Sequence, residues 1–337
     1  MQAREEIDVL SKRQNLLETI HGGNPDRFVK QFEAFALFRS NPFALTNPRP
    51  EKGAGSVKNA WGVTNEWPEG TPGSFPIHDE EHLVCPDITR WREYVHAPSL
   101  EFTDEDWQPF VDEADAVDRE EQFVTAFVAP GIFEQCHHLT KIDNCLLNLV
   151  IHPDEMHELI DYLTDWEIEL ARQLCHYLKP DALFHHDDWG SQISTLMSKE
   201  MFDEFLLPSY QRIYGFYHDH GVELVVHHSD SYAATLVPEM IEAGVNIWQG
   251  VMTTNDVPKL IEEYGERISF MGDIDTGKVD NVDWTEENIM DNVRTACESC
   301  GKLYFVPNAT QGGAYSTFPG VYECIDACID IMSKEMF

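Results

Sequence analysis

Two short strings carry most of the proton chemistry this chain offers: His185-His186-Asp187-Asp188-Trp189 and His227-His228-Ser229-Asp230. Imidazole is the side chain whose ordinary pKa lies nearest neutrality, and a carboxylate beside it raises that pKa and keeps the ring protonated. Histidines next to aspartates therefore suit a positioned acid or base, and the same nitrogen and oxygen donors suit a metal such as zinc. His186, Asp187, Asp188 and His227 are the candidate catalytic residues, with the acid among the four left open. Were zinc bound, His186 and His227 with an aspartate would hold it. Asp230, Gln249, Asp273 and Gln311 stand at comparable points along the chain and are candidates for orienting polar parts of a substrate. Trp61, Trp67, Trp189 and Trp248 are each accounted for by ordinary packing, yet together they would wall a flat pocket of aromatic size.

Each polar string ends an apolar run. Asp181-Ala-Leu-Phe leads into His185, and Leu224-Val-Val leads into His227. From about residue 120 onward, short apolar runs alternate with amphipathic stretches, the pattern of repeated βα units and a parallel sheet. Strands are expected at 122–129, 182–187, 222–228, 245–251, 268–274 and 303–307, with an early one at 32–38. The fold class predicted is α/β, a (βα)8 TIM barrel, in which the C-terminal strand ends converge on the face where barrel enzymes place their active sites. One such string alone is as readily a hydrogen-bonded plug, whereas several in register point to an active site.

The helices follow from spacing. Leu159, Ile160, Leu163, Trp166, Leu170 and Leu174 recur at helical intervals over 156–177, and Pro153-Asp154 is a start signal. Further helical stretches cover 199–220, 286–300 and 321–332. By contrast, 49–86 is rich in Gly, Pro and Trp without sustained periodicity, which predicts an irregular excursion packed over one end of the barrel. Residues 1–337 read as one domain, with 1–120 forming N-terminal helices and this loop, and 121–337 the main run of βα units.

Composition excludes more than it identifies. Sixty acidic against 23 basic side chains, a net charge of −37, repel phosphate backbones and acidic membrane surfaces, which argues against nucleic-acid and membrane partners. No apolar run approaches the roughly 20 residues that cross a bilayer. The opening Met-Gln-Ala-Arg-Glu-Glu-Ile-Asp has no apolar signal core, so a cytoplasmic location is expected. The eight cysteines are then expected as thiols. Cys297 and Cys300, and Cys324 and Cys328, have the spacing of zinc clips, but both pairs fall in helical stretches where that spacing simply shares a face. Gly53-Ala-Gly55 lacks the strand before it and the helix after it that a phosphate loop needs.

A family resemblance rests on longer stretches. Asp187-Asp-Trp-Gly-Ser-Gln192, Ser198-Lys-Glu-Met-Phe202 and Leu207-Pro-Ser-Tyr-Gln-Arg212 resemble the central region of the uroporphyrinogen-decarboxylase-like superfamily, including its cobalamin-linked methyltransferases. Pro238-Glu-Met-Ile-Glu-Ala-Gly-Val245, Phe270-Met-Gly-Asp-Ile-Asp275 and Asn24-Pro-Asp-Arg27 are similar to further parts, so the likeness spans most of the chain. Departures then separate the branches. True decarboxylases of the family carry an Arg-rich segment near the first strand to hold a polycarboxylate, where this chain has Gln31-Phe-Glu-Ala-Phe-Ala-Leu-Phe-Arg39. The family's late histidine is replaced by Asn308-Ala-Thr-Gln-Gly-Gly313.

The thiol-methylating branch binds zinc through His-x-Cys and a later Cys. Here His227-His228-Ser229 stands at the first site, and 305–313 contains no Cys. The resemblance therefore implies a corrinoid-dependent methyltransferase on the donor side, of O-demethylase type. It would move a methyl group from a methoxylated small molecule to the Co(I) of a corrinoid (cobalamin) held by a partner protein. Zinc remains open although the usual Cys ligands are absent, a homodimer is open, and a decarboxylase-like lyase is the alternative. An ether leaves only when its oxygen is protonated or bound to a Lewis acid, which is the work assigned to the His and Asp strings.

Overall fold

The computed structural model describes residues 9–71 and 73–337; the opening residues read above for a leader lie outside the described ones. Its centre is one parallel sheet of seven strands: β1 (Phe35–Phe38), β2 (Phe123–Val128), β3 (Ala182–His186), β4 (Leu224–His228), β5 (Ile247–Val251), β6 (Ser269–Ile274) and β7 (Phe305–Ala309). Spatial order follows chain order throughout, so every connection crosses over and returns beside the strand it left. The seven expected strands are all present, displaced by a few residues at their ends. Among the described residues this sheet has no eighth strand and no β7–β1 ladder. The edges approach nevertheless: Gln31 accepts from the Ala309 amide at 3.4 Å, and Arg39 beyond β1 donates to the Gly312 carbonyl beyond β7.

Strand parity sorts the side chains into two cores. Phe35, Phe123, Phe127, Ala182, Phe184, Leu224, Val226, Ile247, Met271 and Val306 form one apolar cluster inside the curled sheet. Leu16, Ile20, Val29 and Phe32 join this cluster from the N-terminal segment. The alternate residues, such as Val124, Ala126, Leu183, Val225, Trp248 and Phe270, pack outward under the helices. Successive strand side chains point to opposite faces, so each strand feeds both cores.

The helices largely follow their expected spans, with helices at Pro153–Tyr177, Glu286–Cys300 and Val321–Met336. The stretch expected as one helix over 199–220 is two, Lys199–Phe205 and Leu207–Asp219. Pro208 lacks an N–H and disfavours helical geometry at the residue before it, so the helix restarts there. The excursion differs from its expectation as well. Ser56–Lys58, Thr64–Glu66 and Phe75–Pro76 pair as a small antiparallel sheet. Beyond it the chain is fastened to helix Ile132–Thr140 where the Cys85 amide donates to the Leu139 carbonyl at 2.9 Å. No helix of the described residues is long and apolar enough to cross a membrane.

Candidate functional site

At the C-terminal ends of the strands the inward-facing rows turn polar. In the parallel register His186 of β3 lies beside His228 of β4, and His228 beside Gln249 of β5. Parallel neighbours share an orientation, so these three side chains emerge on the same inner side. The His186 and His228 rings stack with centroids 4.2 Å apart. His228 Nδ1 donates to Gln249 Oε1 at 2.5 Å, and Gln249 Nε2 in turn donates to Asn308 Oδ1 and the Gln311 carbonyl, both at 3.1 Å. That chain fixes the amide's orientation and, through it, the tautomer of a neutral His228.

His186 Nδ1 lies 2.9 Å from Glu134 Oε2, on helix Ile132–Thr140. Burial works against protonating His186, but the carboxylates of Glu134, Asp188 and Asp230 outweigh it and raise the ring to about 10. His228 goes the other way: burial first, and then the charge on His186, depress it to about 3. Two stacked imidazoles thus hold opposite protonation states at neutral pH. Asp188 accepts from the Asp230 amide at 2.8 Å, tying the loops after β3 and β4 together. The Asp230 carboxyl is pushed well above the ordinary range by the protein crowded round it and by Asp188, while its residue remains exposed at the mouth.

The expected partner His227 is elsewhere. One position along the strand reverses the direction of a side chain, and His227 points outward with His185 into the layer beneath the helices. There Tyr214 OH lies 2.8 Å from His227 Nδ1 and 3.1 Å from His185 Nδ1, and His185 Nε2 is 2.7 Å from Glu167 Oε1. Trp189 stacks on His227 at 3.9 Å, and His227 Nε2 is buried with no partner among the described residues. His186 and His227 therefore do not share a metal; His186, Asp188 and His228 are the donors that converge.

Asp187 also faces outward, where it caps a helix. Its carboxylate accepts from the Phe133 and Glu134 amides at 2.9 and 2.8 Å and from Tyr210 OH, satisfying the first turn of helix Ile132–Thr140. Gly131 makes room for it, since a Cβ there would come within 2.6 Å of Asp187.

The tryptophans do not assemble into one pocket. Trp189 and Trp248 are fully buried outside the sheet, and Trp248 Nε1 donates to the Ser229 carbonyl. Trp67 bonds to the Thr71 carbonyl within the excursion. Trp61 lines a cavity, packed edge-on against Trp166 beside Phe43, Phe127, Arg39 and Arg49. Asp273 sits at φ 62°, a left-handed conformation, and accepts from the Cys300 thiol on the outer helix rather than joining the histidines. Gln311 contributes its carbonyl to the site, while its side chain donates to Asp280 at 2.5 Å.

Residues that sequence reasoning missed are Glu134, His137, His138 and His78. Glu134, His137 and His138 share one face of helix Ile132–Thr140 at spacing i, i+3, i+4, a signal that was open to reading once that segment was placed as a helix after β2. Burial depresses His137 to about 4 and His138 well below its usual range, so both are neutral.

Against this geometry, the family model described as uroporphyrinogen decarboxylase (URO-D) matches residues 121–308, which is more than half of the chain and includes β2–β7. The chain belongs to that family. A solved structure described as a methyltransferase from Methanosarcina mazei is similar to this URO-D family member with a TM-score of 0.64 at 14% identity, covering 96% of this chain and 99% of the other. At that identity the likeness establishes a shared fold. No curated protein matches the chain. The thiolate zinc site known from one branch of the family does not fit here. Ser229 follows His228, and the eight thiols lie outside the donor cluster, with Cys297 and Cys328 each pushed up to about 12 by burial.

Proposed function

We propose that this URO-D family protein is a methyltransferase acting on the donor side, taking the methyl group of a methoxylated small molecule and passing it to a reduced corrinoid held by a separate protein. The observation that carries the reading is His186, held by Glu134 at the mouth of the curled sheet and stacked on His228, with the carboxylate favouring its protonated form. As the methyl carbon leaves an ether oxygen, the C–O bond's electron pair stays on oxygen and needs a proton. His186 Nε2 supplies it, because Nδ1 is committed to Glu134. An acid near 10 is matched to a phenol-type leaving group, whose own pKa is also about 10, so that the transfer is close to thermoneutral. Asp188, fixed by the amide of the next loop, lies beside the acid. The reduced corrinoid would supply the nucleophile for the methyl carbon. The exposed Ile193 and Tyr315, on the loops after β3 and β7, make the rim partly apolar, which suits an acceptor presented by another protein.

A second reading has one observation in its favour. Arg39 and Arg49 border the cavity that holds Trp61, and among the described residues neither forms an ion pair. Two guanidiniums suit a carboxylated substrate, as a decarboxylase-like lyase would require. They are few for a polycarboxylate, and a methoxylated aromatic acid would use them equally well.

The test mixes the purified protein with a reduced corrinoid protein and a panel of methoxylated aromatics and methylamines, following the corrinoid absorbance. Methyl transfer that disappears in His186→Gln supports the reading. Absence of transfer across the panel, with carbon dioxide released from a porphyrinogen instead, overturns it in favour of the lyase.

A further inference from the structure

Helix Ile132–Thr140 carries two histidines, His137 and His138, that the proton transfer described above leaves unused. The ligand atoms of Glu134, His137 and His138 all lie within 4.8 Å of one another. His78, just beyond the small antiparallel sheet, lies against the backbone of His138 at the edge of this group. His137 Nδ1 and His78 Nε2 are buried, and neither has a hydrogen-bond partner among the described residues. Each such orphan costs about 1–3 kcal/mol, so two together on neighbouring imidazoles call for a partner that the chain itself does not provide.

We propose that Glu134, His137 and His138 hold a divalent ion of the zinc class, with His78 adjoining as a fourth donor. Two imidazoles and a carboxylate form a nitrogen and oxygen set of borderline hardness, common for zinc and for other divalent first-row metals, and without thiolate it disfavours copper(I). A carboxylate has lone pairs on both oxygens, so Glu134 can accept from His186 and still bind a cation. The helix spacing puts the three ligands on one face without bending the backbone, and the cap from Asp187 holds the first turn, including Glu134, in place. The other converging group, His186, Asp188 and His228, contains the acid assigned above, which leaves the helix trio as the metal-binding group. The inference stands without the methyl-transfer reading, because it concerns binding alone.

The experiment strips the intact protein with EDTA, then titrates it with zinc(II) and with cobalt(II), reading metal content after desalting and the visible spectrum of the cobalt form. The expected result is one equivalent per chain, retained in His228→Ala, with affinity lowered about 100-fold or more in His137→Ala and His138→Ala. His137→Gln, which keeps most of the bulk, serves if an alanine variant fails to fold. Binding by the wild type no tighter than by His137→Gln overturns the proposal, and so does binding lost in His228→Ala but kept in the helix variants.

Discussion

Glu134 Oε2 lies 2.9 Å from Nδ1 of His186, joining the helix after β2 to the end of β3 and leaving Nε2 of the ring for the substrate. If that contact orients and charges the acid, His186→Gln removes methyl transfer by about 10²- to 10⁴-fold in kcat, the usual size of a general-acid contribution. Single-turnover rates at saturating donor are the measurement, and a change confined to KM would contradict the assignment.

The same contact has a pH consequence. The folded-state pKa of His186 is raised from an ordinary 6.5 to about 10, so its share of stability is fully present below about pH 6.5 and is lost as pH rises through about 10. In EDTA-treated protein, kcat should fall on the alkaline side with a midpoint near 10. Glu134→Gln deletes the largest raising influence and should move that midpoint toward neutrality, which NMR titration of the histidine ring protons would also register.

His227 and His228 should separate cleanly when each is replaced. His227→Ala leaves the Tyr214 hydroxyl short of a partner beneath Trp189 and is expected to cost about 2–4 kcal/mol in stability, with kcat of the folded protein unchanged. His228→Ala breaks the stack on His186 and should lower kcat far more than it lowers Tm. Urea melts and kcat measured on the same preparations decide the matter; equal kinetic losses in the two variants would contradict the inward and outward assignment.

Gly131→Ala places a Cβ within 2.6 Å of Asp187 and of the His185 ring. The strain, and the loss of two amide bonds at the start of helix Ile132–Thr140, should destabilise the protein by about 1–3 kcal/mol. Because Glu134 sits in that first turn, the variant should also lose methyl transfer, visible as a lower kcat at temperatures well below its melt.

Much of this was legible without coordinates. Alternating apolar runs and amphipathic stretches located all seven strands, and the polar strings at their ends marked one candidate face, because a parallel sheet with crossover helices aligns every strand's C-terminus. His186, Asp188, Asp230 and Gln249 were in view from that reasoning, and Ser229 together with the lack of a Cys in 305–313 argued against a thiolate zinc while leaving zinc itself open. The chain's acidic excess and the family likeness of 187–212 and 238–275 were equally matters of sequence.

Other assignments depended on tertiary structure. In His185-His186 and His227-His228, adjacent residues of identical chemistry face opposite sides of a strand, and only the sheet's curvature says which side is the lumen. That choice moved His227 and Asp187 from the reaction to the support beneath it and brought in His228. A left-handed φ turned Asp273 away, and the tryptophans dispersed because each answered to its own element's packing. Glu134, His137, His138 and His78 met because a helix more than fifty residues along the chain folds under the excursion. Periodicity reports which face a residue shares with its neighbours in sequence; which distant groups meet across that face is set by packing, and here it decided that Glu134 and His228 are the groups beside His186.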